Sequence, residues 1–278
     1  MTLRMKHEER TMNAKVWLVG AGPGDPELLT LKAVRALNQA QVVLIDDLVN
    51  PAVLSHCPDA RIIPVGKRGG CRSTPQAFIH RLMLRYARQG KCVARLKGGD
   101  PCIFGRGGEE AQWLQARGIE VELVNGITAG LAGATQCGIP LTLRGISRGV
   151  TLVTAHTQDD STPNWQALAA SATTLVIYMG VARLQDIQSQ LLAAGMAAHT
   201  PVAMIENASM PDQREHRCHL SELLRSARDF GLKSPAVLVI GDVVNASQTL
   251  QPKTLAFDSV ALDLLLAQPG PALALLTQ

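Results

Sequence analysis

Aromatic residues are scarce: three Trp, two Tyr and four Phe supply only 3% of 278 residues. So few rings leave little from which to build the stacking platforms that hold single-stranded nucleic acid. Charge is also thin. The 27 Lys and Arg against 23 Asp and Glu give a net +4, without the dense basic cluster of a phosphate-backbone binder. A small acidic ligand held by a few placed cations fits this balance, and no nucleic-acid partner is expected. Cys57, Cys71, Cys92, Cys102, Cys137 and Cys218 include no Cys-x-x-Cys pair and resemble no disulfide framework. They read as reduced, mostly buried thiols of a cytoplasmic protein. No apolar run is long enough to span a bilayer. Residues 261–278 are rich in Leu and Ala but are broken by Asp263, Pro269 and Pro271. They suit an amphipathic tail packed on the body or on a partner. Residues 1–14 are charged and polar, unlike a signal peptide, and read as a disordered arm.

What is present is a core. Hydrophobic residues make up 46% of the chain, enough for a globular protein of one large or two compact domains. Short apolar runs at residues 16–19, 42–45, 92–96 and 121–124 predict strands. Helices are expected from about residue 27, over residues 75–89 and over residues 108–117. In the first of these, Leu28, Leu31, Val34 and Leu37 share a face. In the second, Phe78, Ile79, Leu82, Met83 and Tyr86 do so, with Ser73 or Thr74 as cap and Pro75 in the first turn. Gly130, Gly133, Gly138, Pro140 and Gly145 then break up any long element. A second set follows, with strands at residues 150–154, 175–179, 202–205 and 236–240 and a helix at 184–194. Strand–helix alternation in both halves predicts an α/β fold of two domains with a ligand cleft between them. The expected division is a first domain at 15–130, a linker region at 131–149, a second domain at 150–247 and a tail at 248–278.

The chemistry-bearing segments lie where strands end. Gly20-Ala21-Gly22-Pro23-Gly24-Asp25 follows a strand as a dinucleotide loop does. Yet Asp25 and Pro26 stand where that fingerprint needs its third glycine, and a carboxylate there repels pyrophosphate. The second loop, residues 95–110, holds five glycines between Gly98 and Gly108, enough to bring a ligand against bare backbone. Asp100 in it can accept hydrogen bonds from an ammonium or a ribose hydroxyl. Arg106 sits three residues before Glu109, while Glu110 reads as a carboxylate favouring the helix terminus. Three further segments end strands or follow them: Asn125-Gly126-Ile127-Thr128-Ala129-Gly130, Gly138-Ile139-Pro140-Leu141-Thr142-Leu143-Arg144 and Tyr178-Met179-Gly180. In open α/β sheets ligands gather at such carboxyl ends.

Taken together these motifs, GAGPGDPELLTLKA, KGGDPCIFGRGGEEA, GIPLT and YMG, resemble the tetrapyrrole methylase family from about Lys15 to Asn245. The resemblance implies two α/β domains with S-adenosylmethionine bound folded in the cleft. Carried over position by position, its contacts are Pro23, Gly99, Asp100, Ile103, Thr128, Ala129, Met179 and Ala208. The implied reaction moves methyl groups to two ring carbons, C2 and C7, of uroporphyrinogen III, giving precorrin-2 and S-adenosylhomocysteine. Precorrin-2 feeds sirohaem, haem d1 or cobalamin. Arg106, Glu109, Arg144 and Met179 are the implied substrate contacts, and Arg106 and Glu109 the catalytic candidates. Arg106 either anchors a substrate carboxylate or takes the proton lost after attack. The resemblance also implies a homodimer. The sequence lacks the NAD-binding domain of bifunctional sirohaem synthases, so oxidation and chelation are expected elsewhere. Cys102 and Ile103 replace the family's usual Phe and Val, Ala155 replaces the Gly before His156, and Leu143 replaces a His before Arg144, so no base is carried over there.

Other readings are open. A methylase of a later corrin intermediate, an RNA ribose methyltransferase of the same fold and a nucleotide-sensing module are the rivals. Lys67, Arg68 and Arg72, like Arg148, either meet substrate carboxylates or form a solvated basic surface. The string Glu215-His216-Arg217-Cys218-His219 alternates like a strand and falls short of four zinc ligands, so no metal and no membrane association is expected.

Overall fold

The computed structural model describes residues 14–66, 74–155 and 162–246. The arm, the tail, His156 and the basic positions Lys67, Arg68 and Arg72 lie outside the described residues. The first half runs β1 (Lys15–Gly20), α1 (Leu31–Gln39), β2 (Val42–Ile45), β3 (Arg61–Pro64), α2 (Gln76–Arg88), β4 (Val93–Lys97), α3 (Gly107–Gln115) and β5 (Glu120–Val124). Its five strands are all parallel, in the order β3-β2-β4-β1-β5. A parallel sheet is covered on both faces, and β1 shows why this sequence suits one. Trp17 and Val19 pack with Ala33 and Leu37 of α1 on one face. Val16 and Leu18 pack with Ile79 and Met83 of α2 and Leu114 of α3 on the other.

Two helix starts differ from expectation. Pro26–Leu28 forms a 3-10 turn capped by Asp25, whose carboxylate accepts from Glu27 N at 2.9 Å. The chain then extends through Leu29, and Thr30 caps α1 by accepting from Ala33 N at 3.1 Å. Leu28 therefore shares no helical face with Leu37, and Leu31 is exposed. In α2, Pro75 is itself the N-cap residue and no side chain caps the helix. Phe78 is largely exposed, and His80 is buried beside Ile79 and Met83.

The second half begins with α4 (Ala129–Gln136), followed by β6 (Val150–Thr154), α5 (Trp165–Ala170), β7 (Thr174–Tyr178), α6 (Leu184–Ala193), β8 (Pro201–Glu206), β9 (Arg214–His219), α7 (Leu223–Phe230), β10 (Ala236–Ile240) and α8 (Val243–Ala246). Its sheet is mixed, in the order β6-β7-β10-β8-β9, with only β6 and β7 parallel. One face carries α5, α6 and α7; the other carries Ala134 of α4 and Val243 of α8. The glycine-rich stretch expected to interrupt structure thus opens with a helix that packs on β7 and β10. A Cβ on Gly133 would lie 3.0 Å from the Ala208 Cβ. Gly130 and Gly133 are close-packing positions on α4 rather than breakers. The alternation of His216 and Cys218 is the signature of β9, where the His216 ring stacks on Phe230 with centroids 5.3 Å apart.

Candidate functional site

Parallel pairing puts the carboxyl ends of β4, β1 and β5 side by side, so the loops they feed must meet. Gly22 and Gly99 form an antiparallel bridge: Gly22 N donates to Gly99 O at 3.2 Å, and Gly99 N to Gly22 O at 2.7 Å. Both adopt positive φ, +72° and +68°. A Cβ on Gly20 would stand 2.5 Å from Gly126 N and 2.6 Å from Gly99 O, closer than real side chains come. Glycine is required here because three backbones touch.

Asp100 holds this junction from beneath. It is buried. Its Oδ1 accepts from Cys102 N at 2.7 Å, and its Oδ2 accepts from Gly126 N at 3.0 Å and from Asn125 Nδ2 at 3.4 Å. Its first task is therefore to fasten the second loop to the third, before any contact with a ligand hydroxyl or ammonium.

The second sheet closes the other side. The Tyr178 hydroxyl lies 2.8 Å from Thr128 Oγ1 and accepts from Gly130 N at 2.9 Å. Burial pushes its pKa up, against those two hydrogen bonds. Asp25 N donates to Ser209 Oγ at 3.1 Å, which brings the loop after β8 against the first glycine loop. Phe104, Arg106, Met179, Asn207 and Ser209, all at these loops, have left-handed φ between 51° and 60°. Strained backbone of this kind gathers at functional sites. Met179 is 48% exposed, and the Phe104 ring lies 5.0 Å from the Tyr178 ring.

The structure therefore brings Pro23, Gly99, Asp100, Ile103, Thr128 and Ala129 together on the first sheet's carboxyl edge. Met179 and Ala208 come from the second sheet. Arg106, the N-cap of α3, forks onto Glu109: Nε lies 3.1 Å from both carboxylate oxygens and Nη2 donates to Oε2 at 2.6 Å. The pair is exposed. That hydrogen bond raises the Arg106 pKa and lowers that of Glu109, so neither is tuned to take up a proton near neutrality. Arg144 lies exposed in the turn bridged by Leu143 and Ser147 and stands outside the Arg106–Glu109 pair. Glu110 departs from expectation. It does not sit exposed at the helix terminus; it is fully buried and meets Gln76, Arg95 and Lys97. The signal for this was Arg95 and Lys97 alternating within an otherwise apolar strand.

Fold and site together define a two-sheet α/β protein whose glycine-rich loops meet at the carboxyl ends of the first sheet's strands. The chain belongs to the Tetrapyrrole (Corrin/Porphyrin) Methylases, whose family model matches residues 15–224. The uroporphyrinogen-III C-methyltransferase of Pseudomonas aeruginosa is 75% identical over 232 residues, covering 84% of this chain and 95% of that protein. The Thermus thermophilus uroporphyrin-III C-methyltransferase, solved with S-adenosylhomocysteine, is 43% identical with a TM-score of 0.73 and is 99% covered. A cobalt precorrin-4 methyltransferase is 28% identical with a TM-score of 0.75, covering 84% of this chain and 98% of that one.

Proposed function

We infer that the chain is an S-adenosylmethionine-dependent C-methyltransferase that acts on uroporphyrinogen III. The observation that carries this is the 75% identity to a uroporphyrinogen-III C-methyltransferase covered over 95% of its length. A later corrin intermediate as substrate has less support, since the precorrin-4 enzyme shares only 28% of its sequence.

The residues present fit the cofactor. Gly20 and Gly126 let the three loops close on one another, since a Cβ on either would collide with neighbouring backbone. Ala129 and Ala208 are small, and Ile103 and Met179 offer apolar surface. Pro23, Gly99, Asp100, Ile103, Thr128, Ala129, Met179 and Ala208 would hold it. When bound it supplies an electrophilic methyl group on a sulfonium. The protein's part is to align, to exclude water and to neutralise the carboxylates of the tetrapyrrole. Arg106, whose Nε–Nη2 edge is held by Glu109, offers its remaining Nη1–Nη2 edge to an acetate or propionate, and Arg144 offers a second exposed guanidinium. With its proton held firmly, Arg106 serves as anchor, not base. The product of transfer to C2 and C7 is precorrin-2. Anaerobic incubation with uroporphyrinogen III and S-adenosylmethionine, read by mass spectrometry, tests the reading.

A further inference from the structure

Beneath the cleft, four charged side chains meet where β2 and β4 end and α3 begins. Glu110 Oε1 accepts from Gln76 Nε2 at 2.7 Å and lies 3.3 Å from Lys97 Nζ and 3.4 Å from Arg95 Nε. Arg95 Nη2 donates to Asp46 Oδ1 at 2.6 Å, and Lys97 Nζ stands 3.8 Å from Asp46 Oδ2. The side chains of Glu110, Arg95 and Lys97 are 0%, 2% and 7% exposed, whereas that of Asp46 is 29% exposed. Glu110 Oε2 is buried with no hydrogen-bond partner among the described residues.

Stability does not explain this arrangement. Buried ion pairs return little beyond the cost of stripping their water, and apolar replacements of similar volume are often neutral or better. An unpaired buried carboxylate oxygen adds to that cost. The same sheet face is otherwise filled by Val16, Leu18, Ile79, Met83, Val93 and Leu114, so an apolar solution was at hand. The charges lie instead at the strands' carboxyl ends. Lys97 directly precedes the Gly98–Gly99 turn, and Glu110 lies one helical turn after Arg106 and directly after Glu109.

We propose that Glu110 and Lys97 are positioning residues for the methyl transfer. From beneath the cleft they and Arg95 fix the Asp46 carboxylate, the network's solvent-facing member, as an acceptor turned toward the tetrapyrrole. This inference rests on the methyltransferase reading above. Two cations balance two anions, so removing one charge leaves the rest mismatched and Asp46 differently held. Burial, and Arg95 beside it, lower the pKa of the Lys97 ammonium, while Glu110 and Asp46 hold it up. His80, from α2, also faces Glu110.

The test uses Glu110→Gln and the charge-balanced double variant Lys97→Gln/Glu110→Gln in the full chain. S-adenosylhomocysteine affinity is measured by calorimetry, and kcat, KM and the pH profile with uroporphyrinogen III under anaerobic conditions. Glu110→Gln is expected to bind S-adenosylhomocysteine within about threefold of the unmodified protein and to lose about tenfold or more in kcat. The alkaline limb of its profile moves to lower pH, because the Lys97 ammonium has lost a stabilising anion. The double variant loses that limb and recovers part of the kcat lost by Glu110→Gln, as coupled sites do. Should Glu110→Gln not fold, the double variant decides alone: it must bind S-adenosylhomocysteine, turn over at least about threefold slower than the unmodified protein and lack the alkaline limb. Unaltered kcat and pH profile per folded molecule, in whichever variant folds, overturns the proposal. Turnover by the unmodified protein is measured first and decides the functional reading separately, so unchanged variants would count against the network alone.

Discussion

Single side chains at the loop junction do more than one job, and substitution separates those jobs. Asp100→Asn leaves one oxygen to accept from Cys102 N or Gly126 N and sets an amide against the other donor. A lowered melting temperature and an S-adenosylhomocysteine affinity weakened by ~1.5–3 kcal/mol are expected, as for a lost charged hydrogen bond. Weakened binding with full thermal stability would mean that Asp100 acts on the ligand alone. Tyr178→Phe strands the buried Gly130 N–H and unties Thr128. It should cost ~1–3 kcal/mol in denaturant unfolding, and an unchanged midpoint would show that the two sheets are held by packing only. Arg106→Lys keeps charge but loses the planar fork. An anchor role predicts a raised KM for the tetrapyrrole with measurable kcat and normal cofactor binding. A Lys variant with normal KM and no turnover would contradict it.

At the scale of elements, the edge strand β5 is clamped by ion pairs. Glu122 lies 2.7 Å from Lys15 Nζ and 2.6 Å from Lys32 Nζ. The hydrogen bond from Lys15, then that from Lys32, hold its carboxyl at about 2 instead of 4.5. A folded pKa below the unfolded one contributes stability that is complete above the unfolded value and lost as pH falls through the folded one. Glu122→Gln should therefore melt lower than the unmodified chain at neutral pH, with the gap closing as pH falls from 4.5 toward 2. A gap that persists in acid would mean the clamp is not electrostatic. The elements also show what the sequence makes legible. The strands at residues 42–45, 150–154 and 236–240 were expected with the bounds observed, because buried apolar runs between turn residues admit one reading. The start of α1 was misplaced because Asp25 and Pro26 satisfy a 3-10 turn as readily as a helix. The glycine loops announced themselves, since no connector needs so many. The cluster of Arg95, Lys97, Glu110 and Asp46 did not, because a charged residue reads as surface until the sheet is seen to be covered on both faces.

The whole molecule is two sheets of different construction joined at their loops. Among the described residues no helix is long and apolar enough to cross a membrane, and no group of three metal-binding side chains stands together. We propose a homodimer, supported by exposed Leu31, Leu123 and Leu131 on the first sheet's β5 side and on α4. Light scattering at micromolar concentration should give twice the mass of one chain, and a monomer mass would count against it. The central claim, that this cleft transfers methyl groups to uroporphyrinogen III, has its most direct test in product mass. Purified protein is incubated without oxygen with uroporphyrinogen III and S-adenosylmethionine, and the tetrapyrrole is analysed by mass spectrometry. The expected result is a tetrapyrrole heavier by two methyl groups, with two molecules of S-adenosylhomocysteine released for each. Unmodified uroporphyrinogen III in the presence of cofactor-competent protein would contradict it.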